Sequence, residues 1–137
     1  MQVRELMTTE VTTVQETDSL IDAAMIFSRS TVRHLPVLRG KQLVGVITER
    51  DVKRFAPGLL SGVSSEQYQQ VMESTPLARV MTREMLTVKP DQPVSEAVNL
   101  LYTKRIGCLP VVENNDLVGI ITTTDVLRLM AQMMKDK

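Results

Sequence analysis

The stretch GVITERD, residues 45–51, returns as GIITTTD at residues 119–125. Each version contains a glycine, two aliphatic residues, a threonine and, three residues after the threonine, an aspartate. A shift of 74 positions, which brings the second stretch over the first, also aligns residues 6–55 with 80–129 without a gap. LMTTEVTTV then lies over VMTREMLTV, and HLPVL lies over CLPVV. The chain is therefore a tandem repeat of one supersecondary unit.

Each copy has the pattern of a β-α-β-β-α unit. A short strand around Thr13-Val14, or Thr87-Val88 in the second copy, precedes a helix, two strands joined by a turn, and a closing helix. The first helix of each copy is predicted by apolar residues at i, i+3, i+4 and i+7, which are Leu20, Ala23, Ala24 and Phe27 in one copy and Val94, Ala97, Val98 and Leu101 in the other. Gly40 and Asn114-Asn115 suit the turns between the strands.

The repeat sets the predicted boundaries along the chain. Residues 1–56 form the first copy, 57–79 a helical crossover, and 80–137 the second copy. Pro57-Gly58 is predicted to stop the closing helix of the first copy, because proline cannot continue a helix. Within the crossover, Ser64 or Ser65 predicts the start of a short helix.

The composition excludes several classes of protein. The 137 residues include sixteen basic and sixteen acidic side chains, so the net charge of zero argues against a nucleic-acid-binding protein. One cysteine excludes an internal disulfide and suits a reducing compartment. The N-terminus does not resemble a signal peptide, and no apolar run is long enough to span a membrane. We therefore expect a cytoplasmic protein.

The repeated Thr-x-x-Asp has two interpretations. Thr48 and Asp51, like Thr122 and Asp125, match a capping box, in which the hydroxyl and the carboxylate each accept a backbone N–H at the start of the closing helix. The same geometry suits a ligand, because a helix N-terminus favours a phosphate and a carboxylate can accept both hydroxyls of a ribose. Spacing alone leaves both interpretations open.

Basic residues distinguish the two copies. Arg50 lies in the first turn of its closing helix, where a cation opposes the helix dipole unless an anion docks there. Arg33, at the entry to the HLPV strand, is predicted to face the same site. The second copy has Thr124 and Gly107 at these positions, so we expect the first site to favour a more phosphorylated ligand.

The sequence shows no constellation typical of catalysis or of a metal centre. His34 and Cys108 occupy equivalent positions in the repeat, but two ligands without a third and a fourth make a poor zinc site. A Cys-His nucleophile pair also needs hydrogen-bond reach and an orienting group. No pair of carboxylates suggests general acid and base work. We therefore expect a binding protein with no metal site, not an enzyme.

These motifs resemble a known family. LMTTEVTTV, LPVL and LVGVITERD in the first copy, with VMTREMLTV, RIGCLPVV and LVGIITTTD in the second, look like the two halves of a tandem cystathionine-β-synthase (CBS) domain pair. The resemblance extends from about Val3 to Met130. The helical crossover is also similar to that of CBS pairs in acetoin-utilisation proteins.

The resemblance implies an α+β fold, in which two β-α-β-β-α CBS repeats pack about a pseudo-twofold axis as a Bateman module. It also implies that clefts between the repeats bind an adenine nucleotide (AMP, ADP or ATP) or S-adenosylmethionine as a regulatory ligand, with no required cofactor. Asp51 and Asp125 would bind ribose hydroxyls, and Thr48 and Thr122 would contact the ribose and phosphate. The residues of the two adenine slots would be Thr12, Thr13, Val14, His34, Leu35 and Pro36 in the first copy and Leu86, Thr87, Val88, Cys108, Leu109 and Pro110 in the second. His34 departs from the small residue usual at its position, so it would line the base or fill part of the slot.

The expected partners follow from the same features. The closing helix of the second copy has apolar residues around more than one face, namely Val126, Leu127, Leu129, Met130, Met133 and Met134. We expect this helix to form a homodimer, as CBS pairs typically do; the alternative is that it tucks against the crossover. We expect a stand-alone regulatory module that acts on an unidentified protein. The alternative is a ligand-independent interaction module whose Thr-x-x-Asp motifs are only helix caps.

Overall fold

The chain forms two compact units. A computed structural model describes residues 1–56 and 62–135. The first unit is Thr12–Glu84, and the second combines Met1–Val11 with Met85–Lys137. Neither unit coincides with one copy of the repeat. The opening segment of each copy, residues 1–11 in the first and 80–84 in the second, packs with the strands of the other copy.

The predicted boundaries at 56 and 80 therefore mark copies of the repeat, whereas the packing units change at 11–12 and 84–85. The start of the predicted crossover, 57–61, lies outside the described residues. The predicted helix stop at Pro57-Gly58 falls in that stretch.

The first unit contains three strands and three helices among its described residues. The elements are β1 (Val14–Gln15), α2 (Leu20–Arg29), β2 (His34–Arg39), β3 (Gln42–Thr48), α3 (Glu49–Phe55) and α4 (Ser65–Ser74), followed by a 3₁₀ turn (Leu77–Arg79); α1 belongs to the second unit. β1 runs parallel to β2, and β2 pairs antiparallel with β3. Helices α3 and α4 both pack against α2.

The second unit repeats this arrangement without a counterpart of α4. Its elements are α1 (Val3–Leu6), α5 (Val94–Lys104), β4 (Cys108–Glu113), β5 (Asp116–Thr122) and α6 (Thr123–Lys135). β4 pairs antiparallel with β5, and the irregularity between Val111 and Val112 recurs between Val37 and Leu38 of the first hairpin. The predicted strand at Thr87-Val88 is reduced to one parallel bridge from Val88 to Val111.

The glycine of the repeated phrase is explained by the exchanged opening segments. Thr8 exchanges two backbone hydrogen bonds with Ile120, and Thr82 exchanges two with Val46. The methionine before each threonine then lies over a glycine. A Cβ at Gly119 would meet the Met7 Sδ at 2.7 Å, and a Cβ at Gly45 would meet the Met81 Sδ at 2.6 Å. Only glycine lets the opening segment approach this closely.

Each unit has its own apolar core. In the first, Leu20, Ala23 and Phe27 of α2 pack with β2, β3, α3 and Met72 of α4. In the second, Ala97 and Leu101 of α5 pack with Val3, Val88 and the buried residues of β4 and β5. The predicted apolar stripes of both first helices are thus confirmed as core faces, with Ala24 and Val98 half-buried at their margins.

Local signals in the sequence correspond to local geometry. Gly40 has φ 64°, and Asn114 and Asn115 have φ 54° and 70°, so the predicted turn residues adopt the left-handed conformation. Ser64 caps α4 with a reciprocal bond to Gln67, as predicted. Pro93 is the N-cap of α5. The fold is α+β.

Within residues 1–56 and 62–135, none of the helices combines the length and the apolar character that a membrane crossing requires.

Candidate functional site

The strand–helix junction of the first unit is a closed capping box. The backbone N–H of Thr48 donates to Asp51 Oδ2 at 2.9 Å, and the backbone N–H of Asp51 donates to Thr48 Oγ1 at 3.1 Å. This reciprocal pair starts α3, so the capping interpretation of the motif is confirmed for this copy. No described residue donates a hydrogen bond to Asp51 Oδ1, and the residue is half-buried.

The junction of the second unit is more heavily bonded. The backbone N–H and the hydroxyl of Thr122 both donate to Asp125 Oδ2, at 2.8 and 3.1 Å. Asp125 Oδ1 accepts the Thr8 hydroxyl at 2.9 Å and the Arg128 guanidinium at 2.5 Å. Asp125 is only 3% exposed. This carboxylate therefore caps α6 and also fastens the opening segment of the second unit.

The residues before each Leu-Pro lie directly opposite the threonines of the junctions. His34 is paired with Thr48 across β2 and β3, and Cys108 with Thr122 across β4 and β5. Burial lowers the pKa of His34, an effect that the negative charge of Asp51 partly opposes. Burial raises the pKa of the Cys108 thiol to about 11. At neutral pH both side chains are therefore uncharged, which suits a packed or base-lining position better than nucleophilic chemistry.

Basic side chains surround the first junction, but an acidic residue offsets part of their charge. Arg33 Nη1 lies 3.4 Å from Glu49 Oε2, and Lys53 Nζ lies 3.0 Å from Glu49 Oε1. Hydrogen bonding from Lys53, and more weakly the charge of Arg33, lowers the pKa of Glu49. Arg50 is exposed and has no ion pair with a described residue. Of the two arginines singled out in the sequence, Arg50 is thus the better placed to meet an anion.

The predicted slot residues differ in what they could offer a ligand. Leu35 and Leu109 are fully buried in the two cores, so they could contact a ligand only through their backbone. Exposed or half-buried side chains remain at the slot positions Thr12, Thr13, His34, Leu86, Thr87 and Cys108, whereas Val14, Pro36, Val88 and Pro110 are buried. Residues 34–36 and 108–110 lie on the strands paired with those that end at the junctions, whereas Thr12, Thr13, Leu86 and Thr87 lie outside the strands.

Sequence reasoning missed two residues at the second junction, Thr8 and Arg128. A signal existed, since Met-Thr opens both copies of the repeat and an arginine stands at the same position in both closing helices. The missing information was three-dimensional. Nothing in the linear order shows that Thr8 packs beside β5, more than a hundred residues away.

No group of three or more His, Cys, Asp or Glu side chains in the described parts of the chain is arranged to hold a metal ion.

The fold and both junctions fit one known family. A family profile described as CBS domain matches twice, at residues 3–58 and 77–132. The chain belongs to the CBS domain family. The two matches correspond to the two copies of the repeat, each of which contains one Thr-x-x-Asp junction.

Similar proteins include small CBS proteins. YhcV, a CBS domain-containing protein of Bacillus subtilis, is 30% identical over 123 residues, which cover 90% of this chain and 81% of YhcV. The structure of AcuB from Vibrio cholerae, a protein assigned to acetoin utilization, is 29% identical with a TM-score of 0.83, over 98% of this chain and 93% of AcuB. The CBS domain pair of protein MJ0100, solved with 5′-methylthioadenosine and S-adenosyl-L-methionine, is 25% identical with a TM-score of 0.76, over 97% of this chain and 98% of the pair.

Other relatives are much longer. This chain spans only 24% to 43% of the length of the first curated proteins it matches. In those proteins the CBS pair is one part of a larger polypeptide.

Proposed function

We propose that this protein is a non-catalytic, cytoplasmic regulatory module that binds an adenosyl ligand, either an adenine nucleotide or an S-adenosylmethionine-like compound. The observation that carries the proposal is the capped Thr48–Asp51 junction, whose carboxylate keeps accepting capacity beside a strand of the CBS hairpin. The similarity to the MJ0100 pair, which was solved with two adenosyl compounds, supports the ligand class.

The proposed ligand uses three kinds of group at a junction. The aspartate accepts the ribose hydroxyls, as an ionised carboxylate has acceptor sites on both oxygens. The base packs on the hairpin beside His34 or Cys108, where backbone groups and uncharged side chains surround it. A phosphate or other anionic group approaches Arg50 and the start of the closing helix. No cofactor is needed for this role.

Regulation requires that the ligand prefer one arrangement of the protein over another. In this proposal, ligand binding changes how the protein packs with its partners, and the module acts on an unidentified protein.

A thermal melt of ligand-stripped protein tests the proposal. AMP, ADP, ATP and S-adenosylmethionine are compared at millimolar concentration with GMP, which has the same ribose phosphate but a different base. A ligand at a hundred times its Kd adds about 2.7 kcal/mol to the free energy of unfolding, so one adenosyl compound should raise Tm clearly while GMP does not. Equal responses to AMP and GMP, or no response to any compound, would contradict the proposal.

A second candidate is a ligand-independent interaction module. It is favoured by the capping bonds themselves, because both aspartates already have a structural task at a helix start. Under this candidate, Asp51→Ala lowers Tm by removing the carboxylate that accepts the Thr48 N–H in the capping box, and no adenosyl compound changes Tm in either protein. The melt series therefore separates the two candidates.

We also propose that a second copy of the chain covers the apolar surface of the second unit. Leu127, Met130, Met133 and Met134 of α6 are 53–70% exposed. Met133, together with Leu129 of α6 and Tyr102 of α5, lines a groove of about 680 Å³ between α5 and α6. In the first unit α4 packs on the corresponding helix α2, whereas the second unit has no counterpart of α4 among its described residues. Contiguous apolar surface of this kind is typical of an interaction site.

Sedimentation velocity tests the homodimer. Wild-type protein should sediment with twice the mass of the chain at micromolar concentration, and Met133→Glu should shift it toward the monomer. Met25→Glu is the matched control, because Met25 is also an exposed methionine on a helix but lies on α2 of the first unit. A wild-type protein that sediments only as a monomer would contradict the proposal.

A further inference from the structure

The two junctions of the repeat have the same residues but different hydrogen bonding. An ionised carboxylate has about four lone-pair sites for donors. Asp125 receives four donors, which are the Thr122 N–H, the Thr122 hydroxyl, the Thr8 hydroxyl and Arg128. Asp51 receives only the Thr48 N–H from the described residues. The carboxylate of the second junction is saturated, whereas that of the first is not.

From this difference we infer that the ribose hydroxyls of an adenosyl ligand are received by Asp51 alone, and that Thr8 and Arg128 close the second junction to such a ligand. The inference rests on the proposed function and deepens it, because it names the junction that binds the ribose and the residues that prevent binding at the other junction. It also gives Asp125 a structural role in place of a binding role.

The closure involves the opening segment of the second unit. The backbone of Thr8 is fixed to Ile120 by hydrogen bonds of 2.9 and 3.0 Å, and the hydroxyl of Thr8 then donates to Asp125. Met7 is fixed in turn over Gly119. A ribose that entered this junction would have to displace the Thr8 hydroxyl and Arg128 from a carboxylate that is 3% exposed, with no gain in the number of hydrogen bonds.

The equivalent residues of the first junction leave Asp51 accessible. Thr82 is held to Val46 by the same two backbone hydrogen bonds, but its side chain is exposed and makes no hydrogen bond to a described residue. Arg54, the equivalent of Arg128, is exposed and pairs with no described carboxylate. Two hydroxyl donors from a ribose can therefore add to Asp51 without removing any protein donor.

Charge supports the same assignment. Arg128 neutralises Asp125 within the protein. Asp51 has no ion pair with a described residue, and burial lowers the pKa of the nearby His34, which is therefore neutral at pH 7. The first junction thus presents an anionic acceptor for hydroxyls together with an exposed Arg50 for an anionic group, whereas the second presents an internal ion pair.

Isothermal titration with AMP and with S-adenosylmethionine, each run separately, tests the inference on wild-type protein and on the matched variants Asp51→Asn and Asp125→Asn. Wild-type protein should bind one ligand per chain. Asp51→Asn should raise the Kd by about tenfold or more, since hydrogen bonds to a charged group contribute strongly to the binding free energy. Asp125→Asn should keep one site and should lower Tm more than Asp51→Asn does, because it breaks a buried network.

Carboxyl labelling gives a second readout, and its first comparison needs neither a ligand nor a variant. Treatment of the native wild-type protein with a carbodiimide and glycine ethyl ester, followed by peptide mass spectrometry, should modify Asp51 much faster than Asp125. Binding of AMP or S-adenosylmethionine should then protect Asp51. Thr8→Val should accelerate labelling of Asp125, and Thr82→Val, its control at the first junction, should not change labelling of Asp51.

The outcomes distinguish this inference from the proposed function. Two ligands per chain, or loss of binding in Asp125→Asn but not in Asp51→Asn, would overturn the inference and leave the proposed function intact. Binding of neither compound, with Asp51 still labelled faster, would overturn the proposed function and with it the assignment of ribose to Asp51.

Discussion

At the scale of single residues, an identical motif has two different environments. The Thr-x-x-Asp spacing predicts a helix cap in both copies, and both caps are present. Spacing cannot predict the further donors to Asp125, because Thr8 and Arg128 have counterparts of the same type at Thr82 and Arg54. Which threonine hydroxyl reaches a carboxylate depends on the packing of its segment and on the rotamer of its side chain, and the local sequence predicts neither.

His34 gives a prediction at this scale, because it is the only histidine of the chain. Its pKa lies below the ordinary value of 6.5 in the folded protein, since burial disfavours the charged ring. As the pH falls through 6.5, the unfolded chain takes up a proton that the folded chain resists, so the free energy of unfolding should decrease. The decrease should end once the pH passes below the lowered pKa of the folded protein.

The measurement is Tm of the wild-type protein and of His34→Gln between pH 7.5 and about 5.5, a range above the ordinary pKa values of carboxylates. Wild-type Tm should fall through this range, and the fall should be smaller in His34→Gln. Parallel curves for the two proteins would show that His34 is not buried as described.

At the scale of elements, the helices from α2 to α6, the hairpins and the turns could be predicted from periodicity and turn chemistry, whereas the short helix α1 was not predicted. Gly40 and the Asn114-Asn115 pair identified the turns, and Ser64 identified the start of α4. The first strand of each copy was not predicted in its true extent. β1 has two residues and its counterpart is a single bridge at Val88, and the local sequence does not show how many residues of each segment pair with the hairpin.

The exchanged opening segments give a prediction at the element scale. Gly119→Ala should lower the free energy of unfolding by about 1–3 kcal/mol, as an overpacked site does, since the added Cβ would lie 2.7 Å from the Met7 Sδ and 3.0 Å from the Thr8 carbonyl oxygen. Gly45→Ala should act alike through Met81 and Thr82. Urea denaturation of each variant measures the change.

A double variant checks the cause. Met7→Ala removes the nearest atoms from the site of the added methyl group, so Gly119→Ala should be less damaging in the Met7→Ala background than in the wild type. Contacting residues are expected to show such coupling. Strictly additive effects would mean that Met7 does not lie over Gly119.

At the scale of the whole molecule, the repeat and its motifs were sufficient to predict a CBS pair, and the family match confirms it. The composition of the two packing units could not be predicted. Each unit combines strands from one copy with the Met-Thr segment of the other, and an internal repeat gives no indication of such an exchange, since Met7 and Met81 would align equally well with either hairpin.

The measurement that tests the central claim most directly is equilibrium dialysis of ligand-stripped protein against radiolabelled AMP and radiolabelled S-adenosylmethionine, with unlabelled GMP as competitor. If the protein is an adenosyl-responsive module, at least one of the two compounds should bind saturably, at one ligand per chain, and GMP should not displace it. Retention of neither compound at millimolar concentration would contradict the claim and would leave Asp51 and Asp125 as helix caps.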